Sequence, residues 1–196
     1  MHTLVAAIKF GVHRVWFAGR DLLQPPLMLV SRVGIKPGDR VVDYGCGAGS
    51  YALPAGVLVG PAGHVYAVDE NSHAIRHVQQ AIRARGTSNL TVIHTDGVLP
   101  LPSQTVDVVL LYDVIHDVSD RQGLLAELHR VLKPQGLLSV RDHHHSEQRL
   151  RRLLAERGLF RFVSKTRGGY RFAPAPPEPA PDGSETREAP TGDLLT

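Results

Sequence analysis

Between residues 39 and 143 the chain switches repeatedly between short runs rich in Val, Ile and Leu and segments whose apolar residues recur every three or four positions. Few folds accommodate that alternation, because each apolar run needs cover on both faces and the intervening helices must supply it. The outcome is a doubly wound, mostly parallel α/β sheet built from βαβ units. Strands are expected over 40–44, 64–69, 91–95, 106–112 and 137–141. Helices are expected over 51–59, over 72–85 closed by Gly86, and over 121–132 stopped by Lys133-Pro134. Ser119 and Gln122 have capping-box spacing ahead of the last of these. Residues 146–157 read as a further amphipathic helix ended by Gly158, and 159–165 with 170–173, joined through Gly168-Gly169, as a hairpin that finishes the sheet with antiparallel strands.

The chain has 196 residues, 42% of them apolar, which is enough for one substantial core. The domain itself is assigned to 34–173. Residues 1–33 read as one or two helices capping the pocket, with Leu4, Ile8, Val12, Val15 and Trp16 on one face and a break at Gln24-Pro25-Pro26. Residues 174–196 read as a disordered, Pro-rich acidic tail: from residue 173 onward the chain holds six of its fourteen prolines and five acids against Arg187 alone. That tail is −4, so a net charge of +3 leaves +7 on residues 1–172, concentrated in the arginines between 141 and 171. Such a surface admits nucleic acid, but the neighbouring aromatics alternate as strand residues, so a solvated face is favoured and nucleic acid is not the expected partner. No apolar run approaches the ~18 residues of a membrane span, and the first ten residues are wrongly flanked for a signal peptide, so a cytoplasmic location is expected. Cys46, the single cysteine, excludes an internal disulfide and a cysteine zinc site.

The chemistry gathers where the first strand ends, at Asp43-Tyr44-Gly45-Cys46-Gly47-Ala48-Gly49-Ser50. A glycine turn lets a ligand lie against the main chain, and the following helix offers free N–H groups. In open α/β sheets ligands sit beyond the carboxyl ends of the strands. Those ends carry Asp43, Asp69-Glu70, Asp96-Gly97 and Asp113, with His116 one turn further on. Asp69, twenty residues after Gly49, is placed for the hydroxyls of a ribose, and Asp96 with the Gly97 N–H for an adenine edge. A pyrophosphate fits poorly. Ser50 stands where a dinucleotide turn has its third glycine, and Asp43 repels phosphate but attracts the ammonium of an amino acid.

A nucleoside joined to an amino acid is S-adenosylmethionine, and the chain resembles class I S-adenosylmethionine-dependent methyltransferases of the ubiquinone/menaquinone-methyltransferase-like, small-molecule kind. Residues Val41–Ser50 resemble the family's first motif, Val65–Asp69 its second, and Thr95-Asp96-Gly97 with Leu99-Pro100-Leu101-Pro102 its third. Residues Val106–Val118 and Leu128–Gly136 resemble its later ones, with Gln135 in place of a glycine in the closing turn. The resemblance implies a Rossmann-like sheet of seven strands whose last is antiparallel. It also implies a cofactor site drawn from Asp43, Gly45, Cys46, Gly47, Gly49, Asp69, Glu70, Asp96, Gly97 and Asp113.

His116 is the candidate catalytic base, and Tyr51, His116, His143 and His144 are the candidate acceptor pocket, with Trp16, Phe17 and Arg20 as its lid. His143-His144-His145 with His116 and Asp113 offers a metal-binding composition, but adjacent residues on an extended chain point to opposite sides, so no metal is assigned. Tyr112-Asp113-Val114-Ile115 differs from the Asp/Asn-Pro-Pro-Tyr/Phe pattern of amino-methylating nucleic-acid enzymes, and one thiol is too few for an arsenic acceptor. The expected activity is methyl transfer to a small molecule. The alternatives are a cofactor-binding protein without catalysis that acts as a partner or RNA-associated module, and a nicotinamide dehydrogenase.

Overall fold

The computed structural model describes residues 25–176. The expected helices and lid before residue 25 and most of the expected tail lie outside that range. The elements in chain order are α1 (Pro26–Val30), β1 (Arg40–Tyr44), α2 (Ala52–Val59), β2 (His64–Asp69), α3 (Ser72–Arg85), β3 (Leu90–His94), β4 (Val106–Tyr112), α4 (Arg121–Val131), β5 (Leu132–Arg141), α5 (Glu147–Ala155), β6 (Phe160–Thr166) and β7 (Gly169–Pro174). Among the described residues seven strands form one sheet in the order β3-β2-β1-β4-β5-β7-β6, in which β7 runs antiparallel to the other six. That is the sheet the resemblance implied.

Strand residues divide between two cores. In β4, Val106, Val109 and Leu111 face α4 and α5, packing with Leu125, Leu128, Leu150 and Leu154, whereas Val108, Leu110 and Tyr112 face Ala52, Ala55 and Val59 of α2 and Val78 of α3. Burial on both faces is why this strand reads as a continuous apolar run. The parallel strands direct their carboxyl ends to one edge of the sheet, and the reversal of strand order between β1 and β4 opens a crevice there.

Three local expectations are corrected. The cap of α4 is Asp120 rather than Ser119: its Oδ1 accepts from the Gly123 N–H at 2.8 Å. Pro134 does end the helix, but no loop follows; β5 begins at Leu132, which pairs with Val106, and Pro134 sits exposed within the strand. α5 stops at Ala155, and residues 156–158 tighten into a 3₁₀ turn with Arg157 at φ 61°. No helix among the described residues is long and apolar enough to cross a membrane.

Candidate functional site

The crevice is a cleft of about 900 Å³, walled by the glycine turn, the ends of β2 to β4 and the first turns of α4. The turn is fixed by its neighbours. The N–H groups of Gly45 and Cys46 both donate to the Val68 carbonyl, at 2.8 and 2.9 Å, tying the end of β1 to β2. Gly45 has φ 75°, and a Cβ there would lie 2.2 Å from a Val114 methyl, so this glycine is required by both conformation and space. At Gly47 a Cβ would meet nothing within 4 Å, which leaves open room over the backbone on the cleft side.

Asp69 lines the cleft and is positioned by the turn. Its Oδ2 accepts from the Gly47 N–H and its Oδ1 from the Asn71 N–H, each at 2.8 Å. Burial raises its pKa, and those N–H bonds oppose the rise. Each oxygen keeps a second lone pair that can accept from a hydroxyl. Glu70, Asp96, Gly97 and Asp113 also line the cleft, as expected. The acids act on one another's surroundings: the Tyr44 hydroxyl on the same wall is pushed up by burial and then by Glu70, Asp96 and Asp69.

Three of the expected cofactor contacts stand elsewhere. The Cys46 side chain is buried in the core under α2, where burial pushes its thiol up. Gly49 packs against Leu53 and Val78. Asp43 lies beneath the turn, 1% exposed and off the cleft wall. Burial, against a hydrogen bond from the Ala52 N–H and assisted by the Asp69 charge, raises Asp43 from 3.8 to about 7. Its Oδ2 has no hydrogen-bond partner among the described residues, an orphaned acceptor under a turn with open space above it. Tyr51 is likewise interior. It meets Tyr112 edge to face, with ring centroids 4.8 Å apart, and so does not reach the acceptor pocket as expected.

The opposite end of the cleft is made of imidazoles. The register that sets Tyr112 beside Arg141 brings the next residues, Asp113 and Asp142, to adjacent strand ends. His116 Nδ1 pairs with Asp142 Oδ2 at 2.8 Å, and His143 Nδ1 with Asp113 Oδ1 at 2.8 Å. The His144 ring lies between them, 4.0 Å from His116 and 4.1 Å from His143 between centroids. His145 turns away, yet its Nδ1 reaches the other oxygen of Asp142 at 3.0 Å. Asp142 has a fully buried side chain. Burial raises its pKa, but hydrogen bonds from His145, His116 and the His144 N–H outweigh that and hold it below the usual carboxylate range. Among the described residues, no three His, Cys, Asp or Glu side chains converge on a metal position.

Sequence reasoning missed two parts of this wall. The pairing of His116 with Asp142 went unread. A clamp from α4 also went unread: Glu127 accepts from Arg130 on both oxygens at 2.7 Å and from the Leu99 N–H at 2.6 Å, while Arg130 donates to the carbonyls of Leu99 and Leu101. The pair fixes the loop after β3, and its signal was the i, i+3 spacing of opposite charges on α4.

Residues 35–163 match the family described as a methyltransferase domain. The chain is 33% identical over 133 residues to a demethylmenaquinone methyltransferase of Geobacillus kaustophilus, covering 67% of this chain and 53% of that protein. It is 30% identical over 135 residues to a ubiquinone/menaquinone biosynthesis C-methyltransferase of Pasteurella multocida, covering 68% and 47%. The chain thus spans about half the length of the curated relatives it matches. Among solved structures, a SAM-dependent methyltransferase from Aquifex aeolicus superposes with a TM-score of 0.70 at 28% identity, covering 78% of this chain and 89% of that one.

Proposed function

The chain belongs to the methyltransferase-domain family, and from that membership we propose that it transfers a methyl group from S-adenosylmethionine to a small-molecule acceptor, leaving S-adenosylhomocysteine. The observation that carries the proposal is the polarity of the cleft: acids and a glycine turn at one end, a carboxylate-backed imidazole at the other. The acids favour a cationic sulfonium over a phosphate. Asp69 and Glu70 take the ribose hydroxyls, Asp96 and the Gly97 N–H the adenine edge, and the Gly45–Gly47 backbone the methionine end. Asp43 lies too deep for direct contact and sets the field beneath that end. When bound, the cofactor supplies an electrophilic methyl carbon, whose bond to sulfur breaks with the electron pair returning to sulfur.

The chain's own part is alignment and proton removal. His116 donates a hydrogen bond from Nδ1–H to Asp142, which leaves Nε2, 3.8 Å from Asp117 Oδ2 on the cleft wall, as the acceptor. It takes the proton of the acceptor's hydroxyl or acidic C–H as the new bond to the methyl carbon forms. His143 and His144, with ring centroids 4.1 Å apart and planes tilted by 39°, stand beside it and offer aromatic faces to a quinone-type ring, the class of acceptor that the relatives' names point to. The test is calorimetry with S-adenosylhomocysteine followed by a methyl-transfer assay on reduced quinones. Saturable binding with turnover is expected, and absence of binding at millimolar ligand overturns the proposal.

A further inference from the structure

On the far side of the histidine wall a second hollow of about 570 Å³ lies between α4 and α5, lined by Arg121, His145, Arg149, Arg152 and Glu156 among others. It shares no lining residue with the cleft; His144 faces one and His145 the other.

Its charge is unbalanced. Glu156 is the single acid on its wall, and its Oε2 already accepts from Gln122 Nε2 at 2.7 Å. Against it stand three guanidiniums, none paired with a carboxylate among the described residues. The neighbouring Arg151 differs, being paired with Glu147 at 2.6 Å and lying 3.4 Å over the Phe162 ring. Arg149 and Arg152 are i, i+3 neighbours on α5, a spacing at which like charges repel. Arg121 is held in place: its Nε donates to the Ile115 carbonyl at 2.9 Å and its Nη2 to the His116 carbonyl at 3.0 Å, leaving Nη1 available. A fixed guanidinium with two more lining the same hollow is a donor set that recognises phosphate oxygens.

We propose that this hollow is an anion site for a phosphate group, presented by a free phosphorylated molecule or by a phospholipid headgroup. The probe is pyrophosphate, followed by calorimetry at low ionic strength, where screening of exposed charges is weak. Saturable binding is expected, weakened at least about tenfold in Arg149→Ala/Arg152→Ala and left within about twofold in Arg161→Ala, which removes an exposed charge outside the hollow. Equal weakening by Arg161→Ala, or no saturation at millimolar pyrophosphate, overturns the site. Vesicles containing phosphatidic acid separate the sources. Sedimentation of the protein with them, reversed by pyrophosphate and lost in the double variant, assigns a headgroup; no sedimentation beside saturable pyrophosphate binding assigns a free phosphate. Affinity for S-adenosylhomocysteine, measured on the same variants and expected to be unchanged, reports on folding and keeps this outcome separate from that of the proposed activity.

Discussion

The two ends of the cleft are built on different principles. The glycine-turn end is made of backbone: Gly45 and Cys46 are stapled to Val68, and Asp69 is held by the N–H groups of Gly47 and Asn71, with Glu70 and Asp96 on the same wall. The histidine end is made of side chains that pair across strands, His116 with Asp142 and His143 with Asp113. On the proposed function, the backbone end would seat the cofactor and the side-chain end would meet the acceptor.

The sharpest way to break this contrast is His116→Gln. Turnover should fall about 10²- to 10⁴-fold, the usual worth of a general base, while S-adenosylhomocysteine affinity in calorimetry stays within about twofold. A parallel loss of affinity would mean that the two ends are one unit. Next in size is Gly45→Ala, which forces a side chain into positive φ and against Val114. It should cost about 2–4 kcal/mol in denaturant unfolding, part of which Val114→Ala restores. No restoration would place the strain in the backbone alone.

Asp69→Ala should weaken cofactor binding by about 1–3 kcal/mol through unpaired hydroxyls, with kcat at saturation little changed. An unchanged affinity would transfer the ribose contact to Glu70. A pH-dependent effect concerns Asp43, whose folded pKa of about 7 exceeds the 3.8 of the unfolded chain. The protonated form is therefore the stabilised one, and its contribution is complete below pH 3.8 and lost as pH rises through 7. Melting temperature should fall across that window in the wild type and vary less in Asp43→Asn. Identical slopes would show that Asp43 is already compensated.

The same contrast explains what could be read in advance. β2 and α3 were placed to the residue because a β-branched run and a helix stopped by Gly86 are local signals. The carboxylates at the strand ends were legible for the same reason. Asp43, Cys46, Gly49 and Tyr51 were seen as part of the turn, but the direction of a side chain leaving a tight turn depends on what packs above and below it. The His116–Asp142 pair joins positions 26 apart and exists only because Tyr112 registers with Arg141. Register between parallel strands is set by two cores and a helix, and no local pattern encodes it. β5 beginning at Leu132 was missed likewise, since Pro134 is tolerated only where its missing N–H faces no partner.

Among the described residues, the last strand in sequence is not the last in space. β7 lies between β5 and β6, so the chain passes out to the edge of the sheet and then returns inward. Shortening the protein from Gly169 onward would therefore remove an interior strand, strand β6 without a neighbour, and bare the edge of β5, the strand that leads into Asp142 and the three histidines after it. Trimming of this end should be tolerated as far as Ala175, whose N–H still donates to the Leu159 carbonyl, and intolerable within β7, a boundary that a nested set of truncations would find as an abrupt step rather than a slope.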